Sequence, residues 1–255
     1  MTIKNRLNRL GVRDIDVIEK DESVSTNTDC KQYITGYAPH KSVLITAKTQ
    51  SGGRGRQGKH FSSPEGGLYM SLLTRPGTAL SNTVRITAAA SVAVCRAIRE
   101  TCGLRCSVKW VNDIYADGKK LCGILTEAVN DYTKNITDYL IIGVGVNLTV
   151  YPEGLNATSL LRETGNLPDK AELCARITAG LLHVLEQIKA GDYSYMEEYR
   201  ASSCVIGKNV RCIRDNVPFR AKAVEIDDNG GLVLLFPDGH TETLTSGEIT
   251  LRVEN

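Results

Sequence analysis

The segment GGRGRQG at residues 52–58 constrains the fold of this chain more than any other part of the sequence. Glycine loses more backbone freedom on folding than other residues do, so a run with this many glycines is unfavourable inside a helix or a strand. The β-branched segment at 42–47 precedes it and the segment at 67–74 follows it, and both are typical of strands. The sequence therefore predicts two strands joined by a loop rich in glycine and arginine.

Three further segments have the pattern of helices: 25–36, 81–101 and 168–190. Ser25 or Thr26 is a suitable N-cap for the first, and Gly36 is a suitable end. The second is apolar on most faces, which predicts a buried helix. In the third, Pro168 has a position that a first helical turn tolerates.

Three segments in the first 150 residues are predicted to be strands: 106–113, 120–129 and 139–148. The last is apolar through its first half, as a strand buried on both faces would be. Beyond about residue 203 the chain changes to short β-type segments, separated by the hairpin signals DDNGG and PDG. This tail predicts a small all-β barrel. We therefore expect two domains, at 1–203 and 204–255.

The composition argues against several classes of protein. No apolar stretch approaches the roughly 18 residues that span a bilayer, so no membrane association is expected. Residues 1–20 lack the apolar core of a signal peptide, which predicts a cytoplasmic protein without disulfides. A net charge of +2, with the basic residues spread out, argues against a dedicated DNA-binding domain. The eight cysteines form no C-x-x-C pair, which favours buried or free thiols over metal ligands.

Arg54 and Arg56 make the glycine–arginine loop a candidate site for an anion. Their planar guanidinium groups suit a phosphate or a carboxylate, and the neighbouring glycines allow backbone N–H groups to approach one. A lid over an anionic ligand is the favoured interpretation, and a solvated surface loop is the alternative. The chain has no G-x-x-x-x-G-K-[ST] motif, which excludes a P-loop.

The segment KWVND at 109–113 is a second candidate. Lysine is costly to bury without a partner, so Lys109 at a strand end would suit a phosphate or a carboxylate. A structural lysine that extends to solvent is the alternative. Asn112 and Asp113 could cap a turn, and Asp113 could equally hold Mg²⁺.

The segment GVGVN at 143–147 carries two closely spaced glycines. It lacks the third glycine of a dinucleotide-binding fingerprint. Two interpretations of Gly143 and Gly145 therefore stay open: close packing inside a buried strand, and contact with a ligand.

Five segments, in their order and spacing, resemble the biotin–protein ligases: KTQSGGRGRQGKHF, SPEGGLYMSLL, VKWVNDIY, KKLCGILTEA and IIGVGVNL. The segment SGEITLR at 246–252 is similar to the C-terminal signature of that family, and the resemblance extends from STNTD at 25–29 onward. It implies an α+β fold with a mixed, mostly antiparallel sheet and packed helices, as in class II synthetases and the biotin and lipoate ligases. It also implies a small C-terminal SH3-like β-barrel.

The resemblance implies a reaction in two steps that uses biotin, ATP and Mg²⁺. The biotin carboxylate attacks the α-phosphate of ATP and gives biotinyl-AMP and pyrophosphate. A lysine amine of a biotin carboxyl carrier protein, the biotinyl domain of a carboxylase, then attacks the acyl carbon and releases AMP. Because the mixed anhydride is already reactive, no Ser, Cys or His nucleophile is required. The site has to stabilise charge on phosphate and exclude water.

The same resemblance implies a role for particular residues. Ser25 and Thr26 would bind the ureido ring of biotin. Lys109, Arg54 and Arg56 would be the catalytic residues, with Lys109 as the principal one, in contact with the carboxylate and the α-phosphate. The implied binding residues are Ser25, Thr26, Asn27, Gln50, Gly53, Arg54, Arg56, Phe61, Lys109, Trp110, Asn112, Gly123, Gly143, Gly145 and Asn147. Glu248 and Arg252 in the predicted barrel would reach the nucleotide. The loop is expected to be mobile without ligand and ordered with it.

The sequence departs from the family pattern at three positions. Val111 stands where the family usually has proline, Phe61 where tryptophan is common, and Gln57 where arginine is frequent. None of these changes the implied class of reaction. They leave open the affinity for biotin and the lifetime of the bound adenylate.

Alternatives concern the substrate and the partners. A lipoate or octanoate ligase with the same catalytic fold is one, and a non-catalytic binder of biotin or nucleotide is another.

Some family members repress transcription through an N-terminal helix-turn-helix domain. The STN block begins at residue 25, which leaves too few residues for one, so no sequence-specific DNA binding is expected. The family contains monomers and homodimers, and both stay open.

Overall fold

The structure is a computed structural model that describes residues 1–76, 83–131, 133, 136–152, 154–214, 217–245 and 248–251. The helices are α1 Ile3–Arg9, α2 Thr26–Tyr37, α3 Thr83–Cys102, α4 Leu160–Thr164, α5 Lys170–Lys189 and α6 Tyr195–Ala201. The first seven strands are β1 Ile15–Ser23, β2 Ser42–Gln50, β3 Gly67–Thr74, β4 Ser107–Lys109, β5 Asp113–Ala116, β6 Lys119–Asp131 and β7 Ile136–Asn147. The last five are β8 Asn209–Arg214, β9 Val217–Ile226, β10 Leu232–Leu235, β11 Thr241–Leu244 and β12 Glu248–Leu251.

The first seven strands form one mixed sheet in the order β1-β2-β3-β7-β6-β5-β4. Only the β1–β2 pair is parallel within it, and the other neighbours are antiparallel. This confirms the α+β fold class with a mostly antiparallel sheet. It also brings β3, β6 and β7 together at the centre, although β3 and β6 are far apart in the chain.

Both faces of this sheet are covered by helices. Side chains alternate between the two faces of a strand, so neighbouring residues of β7 enter different cores. Ile142 lies in the large core with α3 and α5, whereas Ile141 packs with Cys30 of α2 in a smaller one. The prediction that this strand is buried on both faces is therefore confirmed, and its apolar sequence follows from it.

The last five strands form a second, antiparallel sheet in the order β11-β10-β9-β8-β12. The sequence analysis predicted short strands separated by hairpin turns in this part of the chain, and these five strands confirm that prediction. The predicted closure into a barrel is not seen, because β11 and β12 are the two edges of this sheet among the described residues. The domain boundary at 203/204 stays a prediction.

Two predicted helix ends were wrong. Helix α2 continues past Gly36 to Tyr37 and ends at Ala38, which has a left-handed conformation with φ 42°. Helix α5 begins at Lys170, because the side chain of Asp169 accepts a hydrogen bond from the backbone N–H of Glu172 and caps it. Pro168 therefore precedes the helix instead of lying in its first turn.

Five elements were missed: α1, β1, β5, α4 and α6. The strand predicted at 106–113 is shorter, because β4 ends at Lys109 and a turn leads into β5. Strand β1 has the sequence IDVIEKDES and lies at the edge of the sheet, where charged side chains protect a strand from unwanted pairing. That charge conceals its period-two pattern. Among the residues that the structure describes, every helix is too short or too polar to cross a lipid bilayer.

Candidate active site

One cavity of about 300 Å³ lies over the centre of the seven-stranded sheet. Its walls come from strands β6 and β7, the first turn of α2, the glycine–arginine loop and the turn between β4 and β5. All of the site residues predicted up to residue 147 border it, except Gly53 and Asn147. The fold thus gathers side chains from five separated segments at one place.

The floor of the cavity contains the glycines of β7. Gly145 pairs with Gly123 across the β6–β7 ladder, and Gly143 pairs with Leu125. A Cβ on Gly143 would lie 2.2 Å from Asn27 Oδ1, and a Cβ on Gly145 would lie 2.5 Å from the ring of Phe61. Both close approaches therefore require glycine. Close packing is therefore observed at both positions, and because both also border the cavity, ligand contact stays a compatible prediction.

The glycine–arginine loop folds back on itself as an irregular hairpin. Phe61 donates its backbone N–H to Gly53 O at 2.8 Å, and Gly55 donates to Lys59 O at 2.7 Å. A Cβ on Gly53 would lie 2.3 Å from Phe61 O, so this glycine permits the closure of the hairpin and does not itself border the cavity. The hairpin directs the Phe61 ring onto Gly145, where the ring stands edge to face with Tyr69.

The two arginines of the loop have different surroundings. Arg56 Nη1 donates to Asn112 Oδ1 at 3.2 Å, and burial lowers the pKa of its guanidinium, which is nonetheless always charged. Arg54 is about half exposed, and its Nη2 lies 3.6 Å from Glu127 Oε1. Both guanidinium groups border the cavity, so a ligand there meets positive charge from the loop.

Two lysines border the cavity from the β4–β6 side. Lys109 Nζ lies 3.5 Å from the Tyr115 hydroxyl, and burial lowers its pKa. Lys120 Nζ lies 2.6 Å from Asp113 Oδ1 and 5.9 Å from the centre of the Phe61 ring. A Cβ on Gly123 would lie 3.5 Å from Lys120 Nζ, so this ammonium reaches over the glycine floor.

The sequence analysis did not identify Lys120. It is the second lysine of the KKLCGIL segment, and at the start of a strand such a pair is typical of a solvated edge. The register of β5 and β6 is irregular at this point, where Tyr115 pairs with Lys120 and Ala116 with Lys119. The long side chain of Lys120 bends back over Gly123, an orientation that no local pattern indicates.

The opposite end of the cavity is polar. Ser71 Oγ lies 2.6 Å from Asn27 Oδ1 and 2.7 Å from Thr26 Oγ1. The backbone N–H of Thr26 donates to Gln50 Oε1 at 2.9 Å, and Gln50 Nε2 donates to Ser63 Oγ at 2.7 Å. These contacts fix the predicted residues Thr26, Asn27 and Gln50 in one network. Ser25 is the N-cap residue of α2, but its side chain makes no capping hydrogen bond.

The turn between β4 and β5 is held from two sides. Asn112 Nδ2 donates to Ile124 O at 2.8 Å, and Trp110 Nε1 donates to Gly230 O, in the β9–β10 turn of the second sheet, at 2.8 Å. The hydroxyl of Tyr199 donates to Val111 O at 3.0 Å, and the Trp110–Val111 peptide bond is cis. Valine in place of the family's proline therefore leaves this turn well anchored.

Asp113 does not form a magnesium site with its neighbours. Mg²⁺ binds oxygen ligands, commonly one or two carboxylates with substrate phosphates. Asp113 Oδ1 is paired with Lys120, and the described residues contain no group of three or more His, Cys, Asp or Glu side chains that could hold a metal ion. The residues present do not fit a resident ion, and Asp113 stays only a predicted ligand.

Asn147 lies away from the cavity, and the side chains of two other predicted residues fall outside the described part of the chain. Asn147 is buried and donates to Thr158 O at 2.9 Å, which is a structural contact between β7 and the segment before α4. Glu248 belongs to the backbone of β12, but its side chain lies outside the described part of the chain, and so does the whole of Arg252. The cysteines that the structure describes form no disulfide with one another, and most of them are buried.

Comparison with known proteins adds the family context. Residues 22–147 match the model of the biotin/lipoate A/B protein ligase family, and residues 205–252 match that of the biotin protein ligase C-terminal domain. The first match contains the cavity residues, and the second covers the small sheet.

Similar proteins occur in several bacteria. The bifunctional ligase/repressor BirA of Bacillus subtilis is 33% identical over an alignment of 240 positions, which covers 88% of this chain and 70% of that protein. The biotin–[acetyl-CoA-carboxylase] ligase of Mycobacterium tuberculosis is 28% identical, over 94% of this chain and 89% of its own length. The structure of the Aquifex aeolicus biotin protein ligase in complex with biotin and ATP superimposes with a TM-score of 0.79 at 28% identity, covering 93% of this chain and 98% of that one.

Proposed function

The chain belongs to the biotin/lipoate A/B protein ligase family, and from this premise we propose that it is an ATP-dependent biotin–protein ligase. In the proposed reaction it forms biotinyl-AMP and transfers the biotinyl group to a lysine of a carrier protein. The observation that carries the proposal is the pairing of a polar pocket end with a cationic one in a single cavity.

The polar end favours biotin over lipoate or octanoate. The ureido ring of biotin presents N–H donors and a C=O acceptor, and the Thr26, Asn27, Gln50 and Ser71 network offers hydrogen-bonding partners for such groups. A dithiolane ring or an alkyl chain would leave buried polar groups unpaired, which costs about 1–3 kcal/mol for each group. The Phe61 ring and the glycines of β7 supply the flat apolar surface that the fused rings of biotin need.

The cationic end suits the adenylation step. A carboxylate oxygen of biotin attacks the α-phosphorus of ATP, the bond from that phosphorus to the bridging oxygen breaks, and pyrophosphate leaves with the electron pair. Negative charge builds on the non-bridging oxygens of the α-phosphate. Preorganised cations stabilise such charge best where water is excluded. Arg54, Arg56, Lys109 and Lys120 border the cavity in positions to do this.

We assign the two lysines to different places along the substrate. Lys120 reaches over Gly123 toward Phe61, so it lies nearest to where the carboxylate of a bound biotin would meet the α-phosphate. Lys109 is two strands away from Gly123, through the pairs Lys109–Asp113 and Asp113–Gly123. Neighbouring strands are about 4.8 Å apart, so the backbone of Lys109 lies roughly 10 Å from that of Gly123, and we assign its ammonium group to the nucleotide phosphates.

In the second step the amine of the acceptor lysine attacks the acyl carbon, and AMP leaves with the electrons of the acyl–phosphate bond. No nucleophile from the ligase is needed, because the adenylate is itself the activated acyl group. The expected partner is the biotinyl domain of a carboxylase. A cytoplasmic location, Mg²⁺ bound with ATP and the absence of sequence-specific DNA binding stay predictions.

The first experiment is the exchange of labelled pyrophosphate into ATP, with biotin, lipoate and octanoate compared on the same purified protein. We expect exchange that depends on biotin alone, because only biotin matches the polar end of the cavity. Exchange with lipoate or octanoate instead would assign the protein to the sister branch of the family. Exchange with none of the three, together with measurable binding of biotin, would favour a non-catalytic binder.

Arg56→Gly is expected to weaken retention of the adenylate. It removes the Arg56–Asn112 bond and one cation that borders the cavity, and it also loosens the loop. Biotinyl-AMP should then dissociate about tenfold to a hundredfold faster and label unrelated lysines on added proteins. The measurement is release of the adenylate by rapid filtration, with Lys48→Gly as a matched control because Lys48 is exposed and pairs with Asp21 on the neighbouring edge strand. Unchanged release from Arg56→Gly would show that other groups hold the adenylate.

A further inference from the structure

Glu127 is a charged residue of β6 that lies next to the polar end of the cavity and has no role in the reaction described above. Its side chain is 18% exposed. One carboxylate oxygen accepts from Lys31 Nζ at 2.7 Å and lies 3.6 Å from Arg54 Nη2. The other accepts from Asn27 Nδ2 at 2.9 Å. The two oxygens thus face different neighbours: cations on one side, and a single amide on the other.

Glu127 is ionised at neutral pH. Burial alone would raise the pKa of its carboxyl, but the hydrogen bonds from Lys31 and Asn27, with the charges of Lys31 and Arg54, hold that pKa below its ordinary value. An ionised carboxylate only accepts hydrogen bonds. The group that faces it from Asn27 must therefore be the amide NH₂.

This requirement fixes the orientation of the Asn27 amide. Its NH₂ faces two acceptors on β6, Glu127 Oε2 at 2.9 Å and Leu125 O at 3.4 Å. Its Oδ1 consequently faces Ser71, 2.6 Å away.

The protons of the next two hydroxyl groups follow from this orientation. Two oxygens 2.6 Å apart need a proton between them, and Asn27 Oδ1 has none, so Ser71 donates to it. Ser71 Oγ and Thr26 Oγ1 are 2.7 Å apart, and the one proton of Ser71 is already used. Thr26 Oγ1 also lies 3.3 Å from Gln50 Oε1, but the closer contact with Ser71 needs a proton, so Thr26 donates to Ser71. The remaining lone pairs of Thr26 Oγ1 can only accept.

We propose that Glu127 is a positioning residue that sets the direction of this hydrogen-bond chain and thereby makes Thr26 an acceptor for the ligand. The inference rests on the proposed function and deepens it. A ligand that contacts the Thr26 hydroxyl must present a donor, as the N–H of a ureido ring does and as a dithiolane does not. Glu127 acts through Asn27 and Ser71 and does not itself contact the ligand.

Glu127→Gln tests the direction of the chain with almost no change in shape. The oxygen of the new amide turns toward the cations Lys31 and Arg54, so its NH₂ faces Asn27. The Asn27 amide then turns over and Ser71 donates to Thr26. The Thr26 hydroxyl becomes a donor, either to Gln50 Oε1 at 3.3 Å or against the ligand N–H, and it has one lone pair fewer to accept from that N–H. The KM for biotin in pyrophosphate exchange should rise about tenfold to a hundredfold, with kcat and the KM for ATP within about threefold of wild type.

Two further variants separate positioning from general stability. Lys31→Met removes the exposed ion pair but leaves the carboxylate facing Asn27, so its KM for biotin should stay within about threefold. In an Asn27→Ala background the chain is already interrupted, so Glu127→Gln should add less than about threefold to the KM. An equal rise in both backgrounds would overturn the proposal, and so would a rise with Lys31→Met as large as that with Glu127→Gln.

A measurement without substrate distinguishes failure of this inference from failure of the proposed function. In the free protein, NMR should detect slow solvent exchange of the two Asn27 side-chain amide protons, since both are bonded to acceptors on β6. Exchange should be at least about tenfold faster in Glu127→Gln, because the overturned amide loses those acceptors. Equal exchange in the two proteins would overturn the proposal, even if wild type catalyses biotin-dependent exchange. Slower exchange in wild type would support it, even if biotin were not the substrate.

Discussion

Lys120→Ala is expected to lower the rate of biotin-dependent pyrophosphate exchange about a hundredfold to a thousandfold. The loss should appear in kcat, because charge on the carboxylate–phosphate junction is greatest in the transition state. Removal of one preorganised donor of this kind typically costs about 2.7–4 kcal/mol. Removal also leaves Asp113 without its 2.6 Å partner, which adds a negative charge beside the incoming phosphate.

Two further alanine variants test whether the loss of activity is specific to Lys120. Lys109→Ala is expected to raise the KM for ATP and to lower kcat by less than Lys120→Ala does. The reason is that the backbone of Lys109 is two strands away from Gly123, on the side that we assign to the nucleotide. Lys119→Ala is the matched control, since this lysine pairs with Asp117 and does not border the cavity. If Lys109→Ala reduced kcat more strongly than Lys120→Ala, the principal catalytic role would return to Lys109, as the resemblance alone implied.

Gly143→Ala is expected to weaken the binding of biotin about a hundredfold. The added Cβ would lie 2.2 Å from Asn27 Oδ1, and Asn27 cannot yield because Glu127, Leu125 and Ser71 hold both ends of its amide. Forcing an extra carbon into such a site costs about 1–3 kcal/mol, and the displaced network loses its alignment with the ligand. Titration calorimetry with biotin measures the effect directly.

Gly36→Ala is the control for this substitution. Gly36 lies in the same helix as Asn27, but nothing lies within 4 Å of the position of an added Cβ. Binding of biotin should stay within about twofold, and the helix should gain up to about 1 kcal/mol from the better helix former. Tight binding by Gly143→Ala would instead mean that the network shifts without loss, and Gly143 would then be a packing residue alone.

Much of the fold could be predicted because the signals are local. The apolar run of β7 follows from burial on two faces, and the DDNGG and PDG turns are enough to mark the hairpins of the small sheet. Strand β1 was missed because it is a charged edge strand, and the parallel β1–β2 pair joins segments separated by a helix. Closure of the small sheet into a barrel depends on pairing between its two edge strands, which no hairpin signal encodes, and the described strands do not support it.

Some residues of the site could be predicted from the sequence and others could not, again because only local signals are visible there. Arg54, Arg56 and the glycines of β7 lie in segments of unusual composition, so the sequence alone indicated them as functional candidates. Lys109 was singled out because it is a lysine in an otherwise apolar strand. Lys120 and Glu127 have no such mark, because a lysine pair and a glutamate on a strand are ordinary surface residues until the fold places them at a cavity.

By itself the sequence therefore determined the glycine–arginine loop, the buried glycine strand and the order of most helices and strands, and it predicted an anionic ligand. These depend on backbone conformation and burial periodicity over short stretches of chain. The tertiary structure alone decided which lysine reaches over the glycine floor and which carboxylate orients the recognition amide. Asn27 and Glu127 are 100 positions apart in the chain and 2.9 Å apart in space. A contact of that kind arises only when α2 packs on the completed sheet, since no local pattern links two residues whose proximity depends on every strand between them.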